Sequence, residues 1–295
     1  AVAGGGTSYA GITWSTDDAT PANKTAGIKM GITGAVAITG GNNRVTYEHD
    51  GSSWSTTGSN ASDHEVAGGG GTQSAGVVFG GWDGTAGDDS VITEEYNGST
   101  WSSANNMVGG FAYGTGSGTV QTGCLATGGS TYNPTVRDIS LTQTYNGTNW
   151  ANESVASNGA GTGASGESGG GGLNAFLSAS GSLDAGSTGV SKLFNQTAGS
   201  WTTKSSVNTT ARYMGSSTDG TRVYKICGYD APAFTVSAVV ESWVDDTWTT
   251  ENSTPAAKNQ PGTGGGVETA GGASAIGGND ASGATSVYYI AAATS

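Results

Sequence analysis

Few residues of this chain are suited to chemistry, and those few are scattered. It has two histidines, His49 and His64, and two cysteines, Cys124 and Cys227. A copper-radical centre would need both histidines as ligands beside a crosslinked Tyr–Cys pair. His49 stands before a turn (HDGSSW) and His64 in a polar loop, so both read as surface or turn residues. The cysteines are far apart, lack the spacing of a metal or redox motif and lie in apolar runs (GCLATGG, VYKICGY). They read as two buried free thiols. Gripping a carboxylated sugar takes clustered arginines, but Arg44, Arg137, Arg212 and Arg222 have no common phase. The acidic pairs Asp17-Asp18, Asp88-Asp89 and Asp245-Asp246 lack the spacing of a calcium loop. No catalytic residue, cofactor or metal ligand is therefore expected.

What remains is aromatic. Trp82, Tyr132 and Tyr229, with Tyr113 and Phe234, fall in or near expected loops and are the candidate ligand contacts, with buried packing as the competing reading. The formal net charge is −13. Ten Lys and Arg against 23 Asp and Glu argue against a nucleic-acid partner and against an anionic membrane surface. No run of 18 apolar residues is present, so no membrane span is expected, and AVAGGGTSYAG at the start does not read as a secretory signal.

These residues must be positioned by a repeat. Trp14, Trp54, Trp101, Trp150, Trp201 and Trp248 recur at intervals of 40, 47, 49, 51 and 47 residues. A turn precedes most of them, as in HDGSSW (49–54), YNGSTW (96–101), YNGTNW (145–150) and WVDDTW (243–248). Upstream of each turn an apolar run ends in Gly-Gly: Gly40-Gly41, Gly80-Gly81, Gly128-Gly129 and Gly277-Gly278. The pair is degraded to Ser180-Gly181 and Cys227-Gly228 in two copies. A third β-branched or aromatic run lies between these landmarks (RVTYEH, SVITEEY, DISLTQTY). Short runs bounded by turn residues are strands, and Asn97-Gly98 and Asn146-Gly147 fit two-residue type I′ turns. A Gly-rich stretch after each Trp supplies a fourth strand.

Four strands per repeat of about 40–50 residues is the arithmetic of a propeller blade. The expectation is one all-β domain over 1–295, a six-bladed β-propeller of four-stranded antiparallel blades. The units are 15–54, 55–101, 102–150, 151–201 and 202–248, with 249–295 and 1–14 jointly forming the last and sealing the ring. The six Trp fill the space between blades, and the Gly pairs allow close backbone approach.

The succession of apolar run, Gly-Gly, aromatic, turn and Trp resembles a Kelch repeat over the whole chain. GTQSAGVVFGG (71–81) followed by TEEYNGSTW (93–101) is similar to the repeat of Kelch-like propellers encoded by tailed, chiefly marine, bacteriophages; GTVQTGCLATGG (118–129) with TQTYNGTNW (142–150) is a weaker copy. The resemblance implies a non-enzymatic virion protein, a tail fibre, tail-tip component or capsid-surface appendage. Its partners would be other virion proteins, copies of itself and a host-surface glycan. The alternative is a secreted carbohydrate-binding propeller unconnected with a virus.

Overall fold

The computed structural model describes residues 11–293 except 17–18, 23–26, 33, 42, 83–88, 132–136, 139–140, 154–167, 173–174, 184–185, 231–234, 260–262, 265–267, 269–271, 277, 281–282 and 285–287. The chain forms an all-β propeller. Each blade is a meander of four antiparallel strands running outward from the centre. The first comprises Gly27–Ile32, Ala35–Gly40, Val45–His49 and Trp54–Ser59. The second comprises Gly68–Thr72, Ala75–Phe79, Thr93–Tyr96 and Trp101–Ser103. The third has Thr115–Val120, Gly123–Thr127, Thr142–Tyr145 and Trp150–Asn152. The fourth has Ser168–Gly170, Phe176–Ala179, Ser191–Asn195 and Ser200–Lys204. The fifth has Gly215–Thr218, Val223–Asp230, Thr235–Val244 and Thr247–Thr250, with Ala211–Arg212 added beside Val223–Asp230.

Five blades are present among the described residues, against the six expected. The segments assigned to the sixth give a three-stranded sheet in the order Ile12–Thr16, Tyr288–Ala293, Ala273–Ile276. Among the described residues it has no fourth strand; Thr263–Gly264 instead pairs in parallel with Ile28 and Lys29 and so joins the first blade's sheet. Thr263–Gly264 also lies within 8 Å, Cα to Cα, of the inner strands of the second, third and fifth blades. Glycine permits this crowding at the axis. A Cβ on Gly70 would sit 2.4 Å from Gly118 O in the next inner strand.

The Trp positions tie one blade to the next. Each Trp lies opposite the aromatic residue on the far side of its hairpin: His49↔Trp54, Tyr96↔Trp101, Tyr145↔Trp150, Phe194↔Trp201 and Trp243↔Trp248. In four of these the indole N–H then reaches back to a hydroxyl on the third strand of the preceding blade. Trp101 Nε1 donates to Thr46 Oγ1 (2.8 Å), Trp150 to Thr93 (2.9 Å), Trp201 to Thr142 (3.2 Å) and Trp248 to Ser191 Oγ (3.1 Å). Trp14, on Ile12–Thr16, lacks this tie. Its buried Nε1 has no hydrogen-bond partner. The residue in phase with Thr93, Thr142 and Ser191 on the fifth blade is Val240, which packs in the same cluster as Trp14 and carries no hydroxyl.

The hairpins differ from expectation in one detail. Only Gly98 and Gly147 have positive φ (90° and 86°), while Asn97 and Asn146 do not. Each Asn instead uses its Oδ1 to accept N–H groups two and three residues on, and the turn centres on Gly98-Ser99 and Gly147-Thr148. Positive φ at the first central residue alone is the type II′ pattern. The type I′ pattern occurs at Asp245-Asp246, where both φ values are positive (48° and 61°).

Two substitutions test the Trp tie. Val240→Thr supplies Trp14 with its missing acceptor and should raise stability by about 1 kcal/mol. Thr93→Val strands the Trp150 N–H and should cost about 1–3 kcal/mol. Urea unfolding midpoints of the two variants should move in opposite directions.

Candidate functional site

The Gly pairs gather at one end of the ring, where each second strand finishes and the neighbouring inner strand begins. Both members of a pair are left-handed: Gly40 and Gly41 have φ of 66° and 67°, Gly80 and Gly81 66° and 89°, Gly128 and Gly129 66° and 93°. The degraded copies hold the same backbone, with Ser180 at 59° before Gly181 at 112° and Cys227 at 60° before Gly228 at 109°. Gly278 has φ 85°, and Gly277 lies outside the described residues. The conformation aims the second N–H at the next blade. Gly41 N donates to His64 O (3.0 Å), Gly81 to Phe111 O (2.6 Å), Gly181 to Ala211 O (2.9 Å) and Gly228 to Lys258 O (2.7 Å). A Cβ on Gly81 would lie 2.6 Å from Glu65 O, so this second position is reserved for glycine. Ser180 offsets its own strain by bonding, its Oγ donating to Ala211 O and accepting from Ala211 N.

The groups that looked chemically competent are built into these joints. Both histidines are buried, contrary to a surface placement, although His49 does flank its turn, its Nδ1 accepting from Gly51 N (3.2 Å). His49 is turned inward because its ring packs against Trp54 at 4.9 Å. His64 bridges Gly80 O (2.8 Å, Nδ1) and Glu94 Oε2 (2.9 Å, Nε2). Glu94 Oε1 and Oε2 also accept the N–H groups of Ala61 and Ser62, on the link entering the second blade. Gln143 Oε1 does the same for Val108 and Gly109, and Glu241 Oε1 for Thr209. Glu241 further pairs with buried Lys225 at 3.0 Å, and Lys29 with Glu268 at 3.0 Å. Burial opposes ionisation of Glu94, but the bonds from His64, Ala61 and Ser62 outweigh it and hold the carboxyl below its ordinary value of 4.5. Burial pushes the Cys124 thiol up to about 12 and that of Cys227 up to about 11. Among the described residues no group of three His, Cys, Asp or Glu is placed to hold a metal ion.

The same end carries an aromatic cluster. Val66, Tyr113 and Tyr213 each lie two residues before an inner strand, and each is left-handed, with φ of 51°, 60° and 55°. Tyr113 N donates to Val66 O (3.0 Å). The rings of Tyr113 and Tyr213, from the third and fifth blades, are 6.1 Å apart, and Tyr229 meets Tyr213 at 6.2 Å, nearly edge-on. Arg212 lies over the Tyr213 ring with Cζ 5.2 Å from its centroid. All four side chains are half-buried. Ala211–Arg212 is held in place by pairing with Asp230 and Tyr229. Of the expected ligand contacts, Tyr113 and Tyr229 are in this cluster. Trp82 is at the same end, 36% exposed, exchanging backbone bonds with Glu65. Tyr132, Phe234, Asp17, Asp18 and Asp88 lie outside the described residues. Tyr213 was not foreseen. The signal for it is the match of ARYM (211–214) to FAYG (111–114), each placing a Tyr two residues before an inner strand.

With this geometry in hand, comparisons with known proteins give the fold. No protein-family model matches the chain. No curated protein matches it significantly. A solved structure described as "Structure of YjhT" superposes with a TM-score of 0.74 at 13% identity, over 92% of this chain and 95% of that one. At that identity the likeness shows a shared β-propeller architecture and nothing about activity.

Two measurements follow. Stabilisation by Glu94 is present above its ordinary range and lost as pH falls through its lowered folded value. Glu94→Gln should therefore flatten the decline of the urea midpoint from about pH 5 downward. A thiol reagent at pH 8 should leave Cys124 and Cys227 unlabelled until the protein is unfolded.

Proposed function

We propose that this protein is a non-enzymatic structural component of a tailed-phage particle, a Kelch-like propeller that presents loops to neighbouring virion proteins or to a host surface. We propose also that its ring is sealed by the sheet holding both chain ends. The observation that carries the functional reading is that the segments similar to the phage repeat serve as joints. Gln73, in GTQSAG, donates to His49 O (3.1 Å) of the preceding blade, and Gln121, in TVQTG, donates to Gly76 O (2.7 Å) and Tyr96 O (3.2 Å). Tyr96 of TEEYNGSTW donates to Glu48 (2.8 Å), and Tyr145 of TQTYNGTNW to Glu95 (2.9 Å). Polar residues fully engaged in holding blades together suit a rigid particle component better than a catalyst. For the seal, the terminal sheet has Ile12–Thr16 paired with Tyr289–Ala293, and Asn252 Nδ2 bonds Ile12 O at 2.7 Å.

A second reading, a secreted carbohydrate-binding propeller, is favoured by the tyrosine cluster alone. Mass spectrometry and immunogold labelling of gradient-purified phage particles separate the two. The protein should co-purify at stoichiometric levels and label a discrete particle feature; its absence from particles while present free in the lysate overturns the virion assignment.

A further inference from the structure

We infer that the tyrosine-lined mouth at the Gly-Gly end is a binding site for a neutral pyranose sugar. This deepens the surface-contact role proposed above and rests on it only for where the sugar would come from. Tyr113 and Tyr213 are held in left-handed backbone, which a bulky residue adopts only when its surroundings enforce it. They come from blades separated by a whole blade, yet their rings converge, and Tyr229 extends the surface.

The tyrosines of the joints behave differently. Tyr96 and Tyr145 spend their hydroxyls on Glu48 and Glu95. The hydroxyls of Tyr213 and Tyr229 make no hydrogen bond to a described residue and are not among the enclosed unpartnered atoms. They are therefore not fully enclosed, and their rings are half-buried. The Arg212 guanidinium, stacked on Tyr213 with its Nε buried, holds that ring in place. Aromatic faces with a hydroxyl rim match a pyranose, which offers an apolar C–H face and a ring of hydroxyls. A nucleotide shares the flat apolar face, but its phosphates meet a chain of net charge −13.

The test uses the full chain in saturation-transfer NMR with methyl α-D-glucopyranoside, methyl β-D-galactopyranoside, N-acetylglucosamine and, as a flat-base control, adenosine. At least one sugar should receive saturation at its ring C–H protons, and adenosine should not. Tyr213→Ala and Tyr229→Ala should each weaken that binding about tenfold, Tyr213→Phe, which keeps the ring face and loses the hydroxyl, should weaken it less, and thermal unfolding should confirm that the variants remain folded. Three results overturn the inference: no transfer to any of the sugars, transfer to adenosine instead, or sugar binding unchanged in both alanine variants. Unfolding of both alanine variants also overturns it, because the cluster is then a structural plug. Particle association is measured separately, so a sugar-blind protein found on virions defeats this inference and leaves the virion reading standing.

Discussion

Four of the five blades give a backbone N–H to the carbonyl of the segment that follows, and the rest of the structure is arranged around that bond. The donor is the second residue of a left-handed pair, seen at Gly41, Gly81, Gly181 and Gly228. The bond requires the chain to turn sharply at the end of the second strand, which crowds it against the next blade's entering segment. Only a residue without a Cβ fits that second position, as the approach of Glu65 O to Gly81 makes plain. Around this fixed point the side chains add further ties: indole to hydroxyl, tyrosine to glutamate, glutamine to carbonyl, carboxylate to incoming backbone. A chain with few aliphatic residues thereby gains cohesion from polar bonds that are shielded by the blades themselves.

That economy explains the fate of the chemically capable groups. His64, Glu94, Lys225, Glu241, Lys29 and Glu268 are buried and partnered. A buried charge is tolerable only with such company, and once so engaged it is poorly placed to act on a substrate. Tyr213 and Tyr229 at the mouth are the contrast, since their rings are packed and their hydroxyls are not fully enclosed.

Much of this was legible beforehand, because a repeat multiplies weak signals. The Trp phase located the outer strands, and the Gly pairs located the sharp turns. What the sequence could not show is where periodicity gives way to pairing. Thr263–Gly264 adds in parallel to the first blade, leaving three strands where four were expected, and no residue pattern announces that choice. The Asn-Gly turns misled for a related reason. Asn acts through its side chain, one position before the turn centre, so the dipeptide is displaced from the place its reputation suggests. The inward histidines were missed because a polar residue in a polar stretch looks exposed until its partner, 30 positions later in the case of His64 and Glu94, is known.

Ser180 and Cys227 carry the lesson furthest. They occupy places where glycine is the habitual tenant, and the dihedral angle survives the change of residue. What selection guards at such a position is a torsion rather than a letter. Copies of the repeat that differ in residue type thus keep one backbone course, and superposing them exposes a likeness that their letters hide.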